Sequence, residues 1–388
     1  MQQAQLAQER PLSIRELKDL SSDPGPCITV LLPLRHEDTR QIRTAAKSAI
    51  RAVEQRLEQR NEDRKQVEAL MQPLRALPIE IEAEPEQKGV VILRSPTLFE
   101  RFFVPREIEE SVTVARHFNL LPLIPVLREN EPFYILALSQ KHVRLLRCTN
   151  TTSEEVNLPR SVPHNLDDFL LTDRPDHALD NASAGGPGTG SMERVTFGTG
   201  SDNERKDEHL SHFYRTVDRG ITELLQADNA PLVIAGVEYE LPLYRSVSQF
   251  PRLVDEAVRG APDGLKGGEL HKRALGVVAA HRQKDVERAL AMYEQFGGSN
   301  RVSVGLKEIV KAAYDGRVMH LFVAQGAHYM GNFDDLTHKV HAHRSEQPGD
   351  DDLVNAAAVE TLRHAGDIFV IPTGKVPHGS QMAAVMRY

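Results

Sequence analysis

Tryptophan is absent from this 388-residue chain, and aromatic residues make up only 5% of it. With so few flat side chains, a platform that stacks successive bases on aromatic rings is disfavoured. Cysteine is almost missing too. Cys27 and Cys148 each sit inside an apolar run, so no disulfide framework can be drawn, and both read as buried small hydrophobes in a reducing, cytoplasmic setting. No window offers the ~18 uncharged apolar residues of a membrane-crossing helix, and Met1 to Arg10 lacks the apolar core of a signal peptide, so no membrane partner is expected. What the chain has in excess is acid. A formal net charge of -8 repels polyanions at long range, which argues against DNA and requires any RNA contact to use a local basic face.

A chain of this length exceeds one ordinary core, and at roughly 150 residues per domain two or three are expected. Three segments can be drawn, all of α/β type. In the first, residues 1–129, Cys27 to Leu32 and Gly89 to Leu93 read as buried strands, Leu98 to Val104 as an alternating one, and Arg40 to Gln59 as a helix. On a helical wheel Ile42, Ala46, Ala49, Ile50, Val53 and Leu57 fall on one side of that helix, while Arg40, Arg43, Lys47 and Arg51 form a stripe on another. Such a stripe is either a solvated face or a phosphate-contacting one.

The second segment, 130–275, opens on a hairpin, Phe133 to Ser139 and His142 to Cys148, whose first strand is nearly all apolar, as a strand covered on both faces should be. Residues 174–206 lack periodicity and carry Gly185, Gly186, Pro187, Gly188, Gly190, Gly198 and Gly200, the composition of a long loop. A helix from Glu208 to Leu225 and a strand from Pro231 to Ala235 follow. In the third segment, 276–388, helices at Gly305 to Tyr314 and Asp351 to His364 alternate with strands at Val318 to Ala324, Ile368 to Ile371 and Ala383 to Arg387, the order of an α/β/α sandwich.

No complete set of catalytic residues emerges. Neither glycine cluster is followed by the lysine of a P-loop, and no Gly-x-Ser-x-Gly elbow exists. His338, His341 and His343 form a local excess, but they lie in a polar stretch with Arg344 and Glu346 that reads as a solvated loop, not a zinc site. No cofactor, metal or catalytic residue is assigned. The acidic residues flanking the glycine-rich stretch read as solubilising.

The run from Gly305 to Ala324 resembles the helix-Gly-strand signature of the C-terminal domain of archaeal and eukaryotic class-1 release factors and Pelota, and Met382 to Tyr388 is similar to its closing strand. Pro231 to Arg245 and the hairpin at Phe133 to Cys148 resemble the bacterial archaeo-eukaryotic release factor family. The resemblance implies an N-terminal α/β domain, a ribonuclease-H-like middle domain and a C-terminal sandwich like that of kink-turn-binding ribosomal proteins. It further implies the ribosome and its RNA as partners, a place in the A site, and a translational GTPase as a second partner. Two motifs of that family are missing. The Gly-Gly-Gln of peptide release has no counterpart, since Gly185-Gly186 is followed by Pro187 and residues 174–206 contain no glutamine; the codon-reading Asn-Ile-Lys-Ser is absent from the first segment. The expectation is a non-hydrolytic factor of hibernation or rescue. Gly185, Gly186, Pro187, Gly188, Gly198 and Gly200 would then be its ribosome-contacting loop, and Arg40, Arg43, Lys47 and Arg51 its contacts to ribosomal RNA. The alternative is a peptidyl-tRNA hydrolase or RNA-processing enzyme with a non-standard loop. A ribonuclease-H-like nuclease would need a carboxylate on the strand from Phe133 to Ser139, which has none.

Overall fold

The computed structural model describes residues 26–34, 39–60, 63–80, 87–172, 199–334, 336–345, 347 and 349–388. Its contacts divide the chain into two units, Met1–Asn130 together with Val286–Tyr388, and Glu131–Asp285. The architecture is mixed α/β with several sheets.

In the first unit β1 (Cys27–Pro33), β2 (Gly89–Arg94), β3 (Phe99–Val104) and β4 (Ser111–Ala115) form an antiparallel sheet ordered β3-β2-β1-β4. Successive strand side chains point to opposite faces, so Ile28, Val30 and Leu32 meet α1 (Thr39–Gln59) and α2 (Arg64–Glu80), whose Ile42, Ala46, Val53, Leu57, Leu70 and Leu74 are buried there. The apolar positions of α1 recur every three or four residues, which turns one stripe of the helix onto the sheet. Cys27, Leu31, Val91 and Leu93, on the opposite face, belong to a core that they share with residues 118–127, including α3 (Ile124–Glu129), and with the last segment of the chain.

The second unit has a five-stranded sheet, ordered β7-β6-β5-β8-β9: β5 (Phe133–Leu138), β6 (Val143–Cys148), β7 (Ser153–Val156), β8 (Leu232–Gly236) and β9 (Val258–Arg259). β5 pairs antiparallel with β6 and parallel with β8. α4 (Leu166–Thr172), α5 (Thr199–Leu224) and α6 (Glu240–Val247) lie on one face, where Leu136 and Leu138 meet Phe213, Tyr214 and Tyr244; the start of α7 (Gly267–Gln295) closes the other through Leu270, Ala274 and Val278. Each fully buried aliphatic side chain here contributes about 1.5–3 kcal/mol.

The last segment supplies a sheet ordered β10-β16-β11-β15, from β10 (Val302–Ser303), β11 (Val318–Ala324), β15 (Asp367–Ile371) and β16 (Met382–Met386), with α8 (Leu306–Tyr314) and α9 (Leu353–Arg363). A smaller sheet, β13-β12-β14, is made by β12 (Met330–Asp334), β13 (Lys339–Ala342) and β14 (Asp351–Asp352). The stretch expected to be a solvated loop around His341 is therefore a strand. Val340 is buried and pairs with Phe333 across the hairpin, and these two inward side chains outweigh the polar composition around them.

The first and last segments are tied by polar groups as well as by their shared core. Asn355 of α9, 2% exposed, accepts from the amides of Leu120 (2.9 Å) and Leu121 (3.2 Å) and donates to the Phe118 carbonyl at 2.9 Å. His117 Nδ1 lies 2.8 Å from Asp351 Oδ2. The Arg128 guanidinium stands over the Phe369 ring, 4.7 Å from its centre.

Candidate functional site

Arg40, Arg43, Lys47 and Arg51 are all exposed on α1, and their spacing keeps them within about 80° of arc at 3.6 residues per turn. Arg56, the remaining arginine of this helix, and Arg60, just beyond its end, serve structure. Arg56 donates to the Val112 carbonyl and Arg60 Nη1 to that of Val114 at 3.3 Å, fastening α1 to β4. Glu54, the carboxylate nearest in register to the stripe, is taken by Arg75, which also bonds Glu68; both pairs are 2.7 Å. Those two glutamates raise the Arg75 pKa. Among the described residues Arg43, Lys47 and Arg51 form no ion pair, so their charge is available to a ligand. Beside the N-terminal turns of α1, the described residues leave a groove of about 940 Å³, walled by Arg40, Gln41, Thr44 and Ser48 on one side and Glu107, Glu109 and Glu110 on another.

Of the glycine-rich candidates, Gly185, Gly186, Pro187, Gly188 and Gly198 lie outside the described residues. Gly200 does not belong to a loop. It sits in the first turn of α5, which begins at Thr199, so the loop expected through residue 206 ends earlier. The run Ser201-Asp-Asn-Glu-Arg-Lys206 contains neither proline nor glycine, and its early acids suit a helix N-terminus. The two helices that flank the insertion hold one another: Phe169 of α4 meets Phe213 of α5 edge-on with ring centres 5.6 Å apart, and His212 at 5.3 Å. Asn165 caps α4, its Oδ1 accepting from the Asp168 amide at 2.7 Å. That aromatic clasp went unread in the sequence because its partners are separated by the glycine-rich stretch.

Several polar and titratable groups of the second unit are engaged in its own packing. Burial pushes the Cys148 thiol up to about 12, which leaves it protonated and inert. Asp218 accepts from Tyr244 Oη (2.8 Å), Ser248 Oγ (2.6 Å) and the Gln249 amide (2.8 Å), and Glu240 accepts from Gln140 Nε2 at 2.9 Å. Burial first, then the carboxylates, raises the pKa of Tyr214 and Tyr244, keeping both phenols protonated. At the end of β5, Ser139 Oγ donates to Asp263 Oδ1 at 2.5 Å; that carboxylate arrives from a distant loop, a placement no local pattern announces.

The histidines diverge instead of converging. His343 pairs with Asp350 at 2.9 Å, His338 with Asp315 at 3.4 Å and His320 with Asp367 at 3.2 Å. Among the described residues no group of three or more His, Cys, Asp or Glu side chains could hold a metal ion, and no helix is long and apolar enough to cross a membrane.

Residues 132–317 match the model of bacterial archaeo-eukaryotic release factor family 3, a stretch that takes in most of the second unit and the start of the last segment. No curated protein matches the chain in sequence. Among solved structures, a model of ribosome-bound archaeal Pelota and ABCE1 is 12% identical with a TM-score of 0.40, covering 98% of this chain and 95% of that one. An S. cerevisiae translation termination-like factor involved in RNA quality control is 10% identical, TM-score 0.35, covering 75% and 74%. The archaeal translation termination factor is 15% identical, TM-score 0.23, covering 98% and 100%. At these scores the structural likenesses carry no functional argument.

Proposed function

With residues 132–317 of this chain carrying the pattern of bacterial archaeo-eukaryotic release factor family 3, we propose that the protein is a ribosome-associated translation factor that occupies the A site, in hibernation or rescue, and does not release peptides. The family match carries this reading. The missing chemistry follows from the insertion, residues 174–206, which holds no glutamine to position water against an ester. The second unit is read as a ribonuclease-H-like scaffold, supported by its β5–β6 hairpin and parallel β8, and the last segment as a sandwich like that of kink-turn-binding ribosomal proteins.

Arg40, Arg43, Lys47 and Arg51 are assigned to ribosomal RNA phosphates. Lysine and arginine neutralise phosphates and release counterions, so the logarithm of affinity falls with the logarithm of salt by ~0.9 per contact in a duplex. Changing all four to alanine is expected to flatten that slope for ribosome binding by about 3.6; an unaltered slope removes them from the site. Sucrose-gradient sedimentation of the tagged full chain tests the reading as a whole, with co-migration with ribosomes expected from starved cells. Absence from ribosomal fractions in both growing and starved cells overturns it. Incubation with ribosome-bound peptidyl-tRNA should yield no free peptide; turnover lost on deleting residues 174–198 would instead establish a hydrolase.

A further inference from the structure

The β1 sheet ends in two edge strands, and they are protected in different ways. β3 carries Glu100 and Arg101 within it, and charge inside an edge strand discourages further pairing. β4 reads Ser111-Val-Thr-Val-Ala115. Three of its five residues are β-branched and none is charged or proline, so nothing within the strand opposes the addition of another. Among the described residues no strand pairs with β4 on the side away from β1.

The backbone groups on that open side follow from the register. Leu34 donates to the Lys88 carbonyl at 2.8 Å, and hydrogen-bonded pairs alternate along an antiparallel ladder. Leu32, Val30 and Ile28 therefore turn their amides and carbonyls to β2. Thr29 and Leu31 turn theirs to β4, where they stand opposite Thr113 and Ser111. The groups of Val112 and Val114 are left pointing outward. Their carbonyls are the two that arginines hold, Arg56 Nη1 on the first and Arg60 Nη1 on the second at 3.3 Å. A guard that β4 lacks in its own sequence is thus supplied by α1 and the residue after it.

The guarded strand matches itself. If a second copy lies antiparallel about a twofold axis at Thr113, the outward groups of Val112 meet those of Val114, and Thr113 faces Thr113. Ser111 then faces Ala115, and Glu110 faces Arg116, both of them exposed. Opposed threonines and opposite charges across two strands favour such a pair. We propose that β4 is a latent self-association edge: when Arg56 and Arg60 withdraw, two copies of this chain join their β1 sheets, β4 to β4. This inference does not depend on the proposed function.

The test uses the full chain carrying Thr113→Cys under mild oxidation, since Cys27 and Cys148 are buried. Opposed residues of a non-hydrogen-bonded pair have Cα atoms about 4.5 Å apart, within disulfide reach. Adding Arg60→Ala is expected to speed the disulfide-linked dimer roughly 10-fold, and adding Arg56→Ala as well roughly 100-fold, one hydrogen bond from a charged group being lost at each step. Ser111→Cys in place of Thr113→Cys should not cross-link, because in this register the two cysteines lie about 14 Å apart along the strands. Folded arginine variants, with melting temperatures near that of the wild type, that cross-link no faster than Thr113→Cys alone overturn the proposal; so does cross-linking at 111 in preference to 113. Glu110→Arg leaves both arginines in place and sets like charges opposite each other, so it should slow the basal cross-linking of Thr113→Cys several-fold. That variant decides the matter if removing the arginines unfolds the chain, and an unchanged rate there overturns the proposal.

Discussion

The sheets built around β1 and β5 are both buried on two faces, yet their covers come from different distances along the chain. For β5 both covers are local to the second unit: α4 to α6 on one side and the start of α7 on the other. For β1 only one cover, α1 and α2, is local, while the other is completed by the last segment. A continuous apolar strand announces that both faces are covered. It does not say by what, and that is why first and last segments were expected to be separate while the contacts group them in one unit.

The largest effect should come from the polar tie between those segments. Asn355→Leu would strand the Phe118 carbonyl and the Leu120 and Leu121 amides inside the protein, at a cost of about 4 kcal/mol in urea unfolding. Amide exchange should rise in β1 and β11 together; a rise confined to the last segment would break the comparison. Matched truncations sharpen it next. Leu31→Ala and Leu136→Ala each empty a fully buried site and should cost ~2–5 kcal/mol. Leu31→Ala is expected to loosen residues 318–324, whereas Leu136→Ala should leave them protected.

The smallest effect concerns Asp352, which caps α9 by accepting from the Val354 amide at 2.9 Å and also holds the Tyr329 amide at 3.1 Å. Asp352→Ala should cost about 1 kcal/mol as a lost cap. Burial raises the pKa of this carboxyl, against the opposing pull of the Tyr329 and Val354 amides. Because the folded state takes up the proton more readily, the stability from this group is full below the ordinary aspartate range and is lost as pH rises through the raised value. Asp352→Asn, which keeps the cap and cannot ionise, should flatten that part of the pH profile; an unaltered profile would assign the dependence elsewhere.

Much of the secondary structure was legible where apolar periodicity is dense. α1, expected from Arg40 to Gln59, spans Thr39–Gln59, and the strand expected from Val318 to Ala324 is β11. α2 was not legible, because Pro73 and Pro78 punctuate it; Leu70, Met71 and Leu74 hold it to the sheet regardless. β13 was hidden by its outward-facing histidine and lysine. The α1 stripe could be read because a helix displays its period in sequence. Asn355, Asp263 and the Phe169–Phe213 clasp could not, because each acts on a partner far along the chain and carries no local signature.

The shared core of the first and last segments sets an order on manufacture. Once residue 130 has been made, the β1 sheet still awaits part of its cover, and the remaining chain takes roughly ten to fifty seconds at about 5–20 residues per second. During that interval Cys27, Leu31, Val91 and Leu93 stay incompletely sheltered from water. A fragment truncated at that point would carry the same bare patch permanently and should clump in cells, while Glu131–Asp285 expressed alone brings both of its own covers and should remain dispersed.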